Sequence, residues 1–152
     1  MAGKAWAWAY KTAGNLVATK CVDLLVLPVG LPGAGKSTYI EHMGDITAGN
    51  AVVRGNVLVF DAMWLMARDR TAAVNLLKGA GISFAKAVYF DTPTDVCIAR
   101  QELRGYDKQL PARLIRATAR NLQMPTRAEG FDAIEVITNS GDPVISLGQG
   151  SQ

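Results

Sequence analysis

The chain carries one histidine, two cysteines and six prolines in 152 residues, and it has no run of 18 or more apolar residues. Each scarcity excludes something. A single imidazole, His42, and two thiols, Cys21 and Cys97, without a CxxC spacing, argue against a zinc site and against a disulfide-stapled scaffold. The same cysteine usage fits a reducing, cytoplasmic setting. Without a long apolar run nothing is built to span a bilayer, so a membrane is not among the expected partners. Lys4 followed by AWAWAY has the basic-then-apolar order of a secretory signal, but Lys11 and Asn15 interrupt it, and it reads as retained sequence.

Charge of one sign is also scarce. Sixteen Lys and Arg against thirteen Asp and Glu, a net +3, is too mild a balance for a dedicated nucleic-acid binder. Its distribution is less even, because Arg100, Arg104, Arg113, Arg116, Arg120 and Arg127 fall close together. An anionic partner on that side accounts for the cluster. A solvated face interspersed with Glu102 and Asp107 accounts for it equally well.

What is present is a composition 49% hydrophobic, in a chain long enough to bury roughly 70% of its unfolded surface in one core. Three parts are expected: an arm over residues 1–20, a domain over 21–140 and a loose Gly- and Ser-rich tail over 141–152. In the arm, Ala alternates with Trp6, Trp8 and Tyr10 at period two, which suggests an extra strand or a packing arm, with self-association as a related use. Aromatics beside Lys4 and Lys11 also suit stacking on bases, though packing is the stronger reading.

The domain alternates strands and helices. Val22–Val29 is an apolar run followed at once by GLPGAGKST, the pattern of a buried strand and a tight loop. A short helix from Ser37 to Met43 follows, and a helical turn is the reading for Ala48–Arg54. Further strands are expected over Asn56–Asp61, Ala85–Phe90 and Asp132–Thr138, and further helices over residues 68–78, from Thr92 to Arg104, and from Pro111 to Leu122. Thr92 reads as the cap of its helix, with Pro93 in the first turn. The alternation predicts an α/β fold with a mostly parallel sheet of about four to five strands and helices on both faces.

Gly30-Leu31-Pro32-Gly33-Ala34-Gly35-Lys36-Ser37 fits the phosphate-loop pattern G-x-x-x-x-G-K-[ST], so a P-loop NTPase fold is expected. Glycines let consecutive backbone N–H groups turn inward around phosphate oxygens. Lys36 is expected at the β and γ phosphates of ATP, and the Ser37 hydroxyl on a magnesium ion, with Thr38 a secondary contact. Asp61 ends a strand where such proteins place a carboxylate that holds magnesium or orients the nucleophile.

GLPGAGKST, VLVFDAMW, AVYFDTPTDVCIARQELRG and LPARLIRATARNLQMPTRAEGFDAIEVI together resemble the 5′-hydroxyl polynucleotide kinase family of phages and DNA-repair enzymes. The similarity spans about residues 24–138, patchily, and its distinctive parts are RxxxRG and P-T-x-x-E-G-F-D. It implies ATP-dependent transfer of the γ-phosphate to the 5′-hydroxyl of DNA or RNA. It also implies a lid arginine on the donor phosphates, which the motif places at Arg104, with Arg100 a second contact one turn earlier. Arg113, Arg116 and Arg120 would form a further face for nucleic-acid backbone or adenine.

The sequence departs from that family at one place. Family members carry a second strand ending in an aspartate general base, with an arginine three residues later. Here only about 18 residues separate Ser37 from NVLVFD, and the one acid beyond the helix is Asp45, with Ala48 three residues on. Asp45 and Asp61 both remain candidates for the base. A small-molecule or nucleoside kinase, or a nucleotide-binding module without transferase activity, are the alternative functions.

Overall fold

A computed structural model describes residues 4–36, 40, 46–48, 51–104, 109–138 and 144–145. Helix α1 (Lys4–Lys20) comes first, then strands β1 (Leu24–Val29), β2 (Ile46–Ala48), β3 (Ala51–Arg54) and β4 (Val57–Phe60). Helix α2 (Ala67–Ala80), β5 (Phe84–Asp91), α3 (Thr94–Glu102), α4 (Ala112–Asn121), a 3-10 turn (Arg127–Glu129), β6 (Ala133–Thr138) and β7 (Val144–Ile145) complete the order.

The protein is α/β with one mixed sheet. Among the described residues that sheet has seven strands in the order β2-β3-β4-β1-β5-β6-β7, wider than the expected four to five. The expected strands are the parallel centre, β4-β1-β5-β6. The additions are antiparallel: a β2–β3 hairpin on one edge and β7 on the other. The hairpin replaces the helical turn expected over Ala48–Arg54, and Gly55-Asn56, with Gly55 at φ +59, then turns β3 back into β4. Ala51, Val52 and Val53 are all buried, so this is a strand covered on both faces and its helical periodicity was incidental.

Side chains alternate across the sheet and sort into two apolar layers. Leu25, Leu27 and Val29 of β1, Leu58 and Phe60 of β4, and Ala85 and Ala87 of β5 face one side. There they meet Ala9, Ala13 and Val17 of α1 and Ala73, Val74 and Leu77 of α2. Val26, Val59, Val88, Phe90 and Ile137 face the other side, with Cys97 of α3 and Ile115 of α4. Helices thus cover both faces, as short crossovers between parallel strands require.

The segment expected as a strand or arm is helix α1. Its alanines are strong helix formers, and Ala9, Ala13 and Val17 recur every fourth residue to make a buried stripe. Trp8 faces outward, so the period-two aromatic pattern did not mark a sheet face. Tyr10 sets its ring edge-on against Phe60 at 5.5 Å, and burial followed by the nearby Asp69 carboxylate pushes its phenol up to about 12.

The deepest polar contact lies in the α1–α2 layer. Arg70 of α2 is 0% exposed and Glu129 is 5% exposed. The guanidinium donates from Nε and Nη2 to the two carboxylate oxygens at 2.6 and 3.1 Å, and from Nη1 to the Trp64 carbonyl at 2.7 Å. Glu129 Oε2 also accepts from Thr126 N and Oγ1, the reciprocal arrangement that closes a capping box. Glu129→Gln leaves the guanidinium uncompensated and is expected to destabilise by about 3–5 kcal/mol, on the order of 10 °C in melting temperature. The double variant Arg70→Met, Glu129→Leu should recover most of that loss, and thermal unfolding of both checks it; an unchanged midpoint for Glu129→Gln alone would contradict the assignment.

Candidate functional site

The four parallel strands bring their C-terminal ends to one edge, the edge at which open α/β sheets bind ligands. Gly30 follows β1, Asp61 follows β4, and Thr92 follows β5. A proline in the central strand shapes this edge. Leu24 donates its N–H to Asn56 on the β4 side, and strand alternation turns Val26 and Pro28 the same way. Proline has no N–H to give. Pairing with β4 accordingly ends at Val26↔Val59, whereas pairing with β5 continues to Val29↔Tyr89. The ends of β1 and β4 are left unladdered, with the glycine loop on one and Asp61 on the other.

The two loops meet again beyond that gap, where Gly30 N–H donates to the Met63 carbonyl at 3.2 Å. The loop after β4 is itself tightly held. Trp64 stands at φ +53, a left-handed conformation that is uncommon for a bulky side chain. Its Nε1 donates to the Phe60 carbonyl at 2.8 Å, its ring lies edge-on to Phe60, and its own carbonyl accepts from Arg70. Strain of this kind persists where the surroundings over-determine it.

Within the glycine loop, Gly33 has φ +84 and Gly35 φ +109. Gly33 is required for a second reason, because a Cβ there would lie 2.8 Å from the Cys97 carbonyl oxygen. Lys36 folds back over the loop, its Nζ donating to the Gly30 carbonyl at 2.5 Å and the Leu31 carbonyl at 3.2 Å. Burial lowers the Lys36 ammonium to about 8, against the opposing pull of Asp61 and Cys97. Burial raises the Asp61 carboxyl above its ordinary range, and Lys36 opposes that shift. The two charges are therefore close enough to feel each other and are both partly desolvated.

Helix α3 leans directly on the loop. Arg100, expected at donor phosphates, donates from Nη1 to the Gly33 carbonyl at 2.9 Å. Arg104 lies two residues past the helix end and is exposed. Its carbonyl accepts from Gln109 Nε2 at 3.0 Å. Arg113, Arg116 and Arg120 are exposed on α4. Ser37, Thr38 and Asp45 lie outside the described residues, while Gly30, Gly33, Ala34, Gly35, Lys36 and Asp61 are gathered at the one sheet edge.

No protein-family model matches the chain, and no curated protein matches it in sequence. The geometry divides the sequence motifs quoted above into two kinds. P-T-x-x-E-G-F-D is structural throughout. Thr126 and Glu129 form the capping box, Gly130 turns at φ +109 against Val74, Phe131 is core, and Asp132 Oδ2 accepts from Ala85 N–H at 2.9 Å. Arg100 of RxxxRG, by contrast, meets the glycine loop at the sheet edge.

Three residues here escaped the sequence reading. Arg70 looked like any helical arginine, and only its burial distinguishes it. Glu129 did carry a signal, since Thr126-x-x-Glu129 is a capping-box spacing. Thr92 read as a helix cap, but the N-cap position is Pro93 and no side chain caps the helix. The Thr92 hydroxyl donates instead to the Ala34 carbonyl at 2.9 Å.

A magnesium ion at this edge would have Asp61 as its described carboxylate and would need phosphate oxygens for the remainder, which is how magnesium commonly sits with nucleotides. Among the described residues no cluster of three acidic, histidine or cysteine side chains would hold an ion unaided.

A polyphosphate needs the charged form of Lys36, and binding must then raise the pKa of that ammonium. Affinity for ATP is expected to be flat well below pH 8 and to weaken as pH rises through about 8, approaching tenfold per pH unit before the pKa of the complex is reached. Binding titrations from pH 6.5 to 9.5 check this. Lys36→Arg should remove the inflection, and a wild-type affinity constant across pH 8 would refute the assignment.

Proposed function

We propose that the protein is a P-loop phosphotransferase that moves the γ-phosphate of ATP to the 5′-hydroxyl end of DNA or RNA with magnesium. The observation that carries the reading is the placement of Lys36 and Asp61 after the unladdered ends of β1 and β4, at a loop two of whose glycines, Gly33 and Gly35, adopt positive φ. The choice of a 5′-hydroxyl end as acceptor rests on the motif resemblance.

In this reading Lys36 leaves the Gly30 and Leu31 carbonyls and takes phosphate oxygens in their place, so its ammonium exchanges one set of acceptors for another. Gly33 and Gly35 let the backbone approach the phosphates closely. Asp61 orients the nucleophile or accepts its proton, with a carboxyl already raised toward the range a general base needs. Magnesium, when bound with ATP, neutralises charge developing on the β and γ oxygens. Arg104 is the lid arginine of this scheme, delivered from the exposed end of α3, and Arg100 anchors that helix.

A second reading has its own support. The order of elements puts the β2–β3 hairpin where the family has its acid-bearing second strand. Ala48, at the end of β2, is level with Ala51 and, through it, with Phe60, and the sequence continues Gly49-Asn50 without a carboxylate. Asp91 closes β5 but is exposed. A nucleotide-binding module without transfer would fit that loss, and a nucleoside or other small hydroxyl compound is the alternative acceptor.

Transfer of labelled γ-phosphate from ATP to an oligonucleotide bearing a 5′-hydroxyl tests the proposal, with nucleosides as competing acceptors. Lys36→Ala should lower kcat/KM on the order of 10²–10³-fold. Arg104→Ala should lower turnover with little change in melting temperature, and Asp61→Asn should slow single turnovers more than Asp45→Asn. ATP that raises the melting temperature while no acceptor is phosphorylated would favour the binding module.

A further inference from the structure

We propose that Thr92 is a positioning residue of the phosphate loop, holding the Ala34–Gly35 peptide so that the Gly35 N–H faces the bound anion. The inference rests on the nucleotide-binding reading above and adds a residue that no phosphate-loop pattern contains.

Thr92 is 7% exposed and follows directly on β5. Thr92 stands one residue before the N-cap, Pro93, so its hydroxyl is not committed to the first free N–H groups of the helix. The hydroxyl reaches across 58 residues of sequence to the Ala34 carbonyl at 2.9 Å, within the buried layer that contains Leu31, Ala34, Phe90 and Cys97.

The consequence follows from peptide geometry. A trans peptide is planar, with its C=O and N–H pointing in opposite directions, and no cis peptide occurs among the described residues. With the Ala34 carbonyl held toward Thr92, the Gly35 N–H is directed to the opposite side of the loop, away from β5 and α3. Gly35 at φ +109 has little intrinsic preference to keep it there, because glycine moves readily among conformations closed to other residues. Thr92 supplies the missing restraint. The neighbouring peptide is held in parallel, since the Gly33 carbonyl accepts from Arg100 and its Cα lies under the Cys97 carbonyl. Two consecutive carbonyls are thereby anchored from the α3 side; the Ala34 N–H is itself taken by the Leu31 carbonyl at 3.0 Å, so of these two peptides it is the Gly35 N–H that is turned toward a ligand.

The test compares Thr92→Val, which keeps the branched shape and loses the hydroxyl, with Thr92→Ser, which keeps the hydroxyl. Magnesium-ATP affinity is measured by titration, KM for ATP and for the acceptor oligonucleotide by steady-state assay, and folding by thermal unfolding. Thr92→Val should weaken ATP binding and raise KM for ATP by about three- to tenfold, the effect of one hydrogen bond, while KM for the acceptor stays within twofold. Thr92→Ser should restore ATP affinity to within about twofold of wild type. Equal ATP affinity for wild type and Thr92→Val overturns the inference, as does a Ser variant as weak as the Val variant, which would assign the effect to packing of the methyl group. A wild-type protein that binds no ATP overturns the nucleotide reading and this inference with it. Binding without transfer, coupled to the Val–Ser difference in affinity, upholds the inference while the transferase reading falls.

Discussion

Arg70 carries a full charge into a layer otherwise made of Ala, Val, Leu and aromatic side chains, and such a charge persists only where every donor finds an acceptor. The contact joins three separate parts of the chain. Glu129 belongs to the turn before β6, Trp64 and Leu65 to the loop after β4, and Arg70 itself to α2. The pair therefore fixes the return of the chain into β6 and the loop that begins at Asp61 in one step. Removing Arg70 would free the turn and the loop together, because both are held by the same guanidinium. The left-handed Trp64 is held on the same ground: Arg70 takes its carbonyl, the Phe60 carbonyl takes its indole N–H, and its ring packs edge-on against Phe60.

That dependence extends to the first helix. Tyr10 of α1 meets Phe60, and Phe60 meets Trp64, so an aromatic series runs from the N-terminal helix to the loop beside Asp61. A segment that reads as an appendage is structurally continuous with the candidate site. Pro28 acts in the opposite sense, since it withholds a donor instead of satisfying one. An edge that is rigid behind Asp61 and unladdered in front of it suits a site that must hold a carboxylate steady while admitting a ligand.

Much of this was legible in the sequence because each feature had a local cause. The parallel strands are short apolar runs bounded by turn residues, the α2 and α4 boundaries fall within two residues of expectation, and the glycine loop could be placed from its pattern alone. The failures were of two kinds. In α1 and the hairpin, short apolar stretches fit both a helical and an extended period, and tertiary packing decided between them. In Arg70, Thr92 and Glu129, the deciding fact is a partner 58 or 59 residues away, and no window along the chain contains it. The threonine is the more instructive of these, because the local pattern read it as a helix cap, whereas the helix takes Pro93 as its N-cap and the hydroxyl goes to a distant carbonyl.

The same long-range ties bear on how a lid could work here. Helix α3 is joined to the glycine loop through Thr92 at its start, Cys97 at its middle and Arg100 in its last turn, so its whole length moves with the loop. The connection that follows is fastened back onto the helix, with Gln109 donating to the Glu102 and Arg104 carbonyls and Gln101 accepting from Leu110 N–H. A rigid swing of α3 would have to break bonds to the loop that holds the nucleotide in the proposed function. Rotation of the Arg104 side chain breaks none of them. In the proposed function, closure over a bound phosphate is then a rotation of the Arg104 side chain, with α3 serving as the fixed post on which it is mounted.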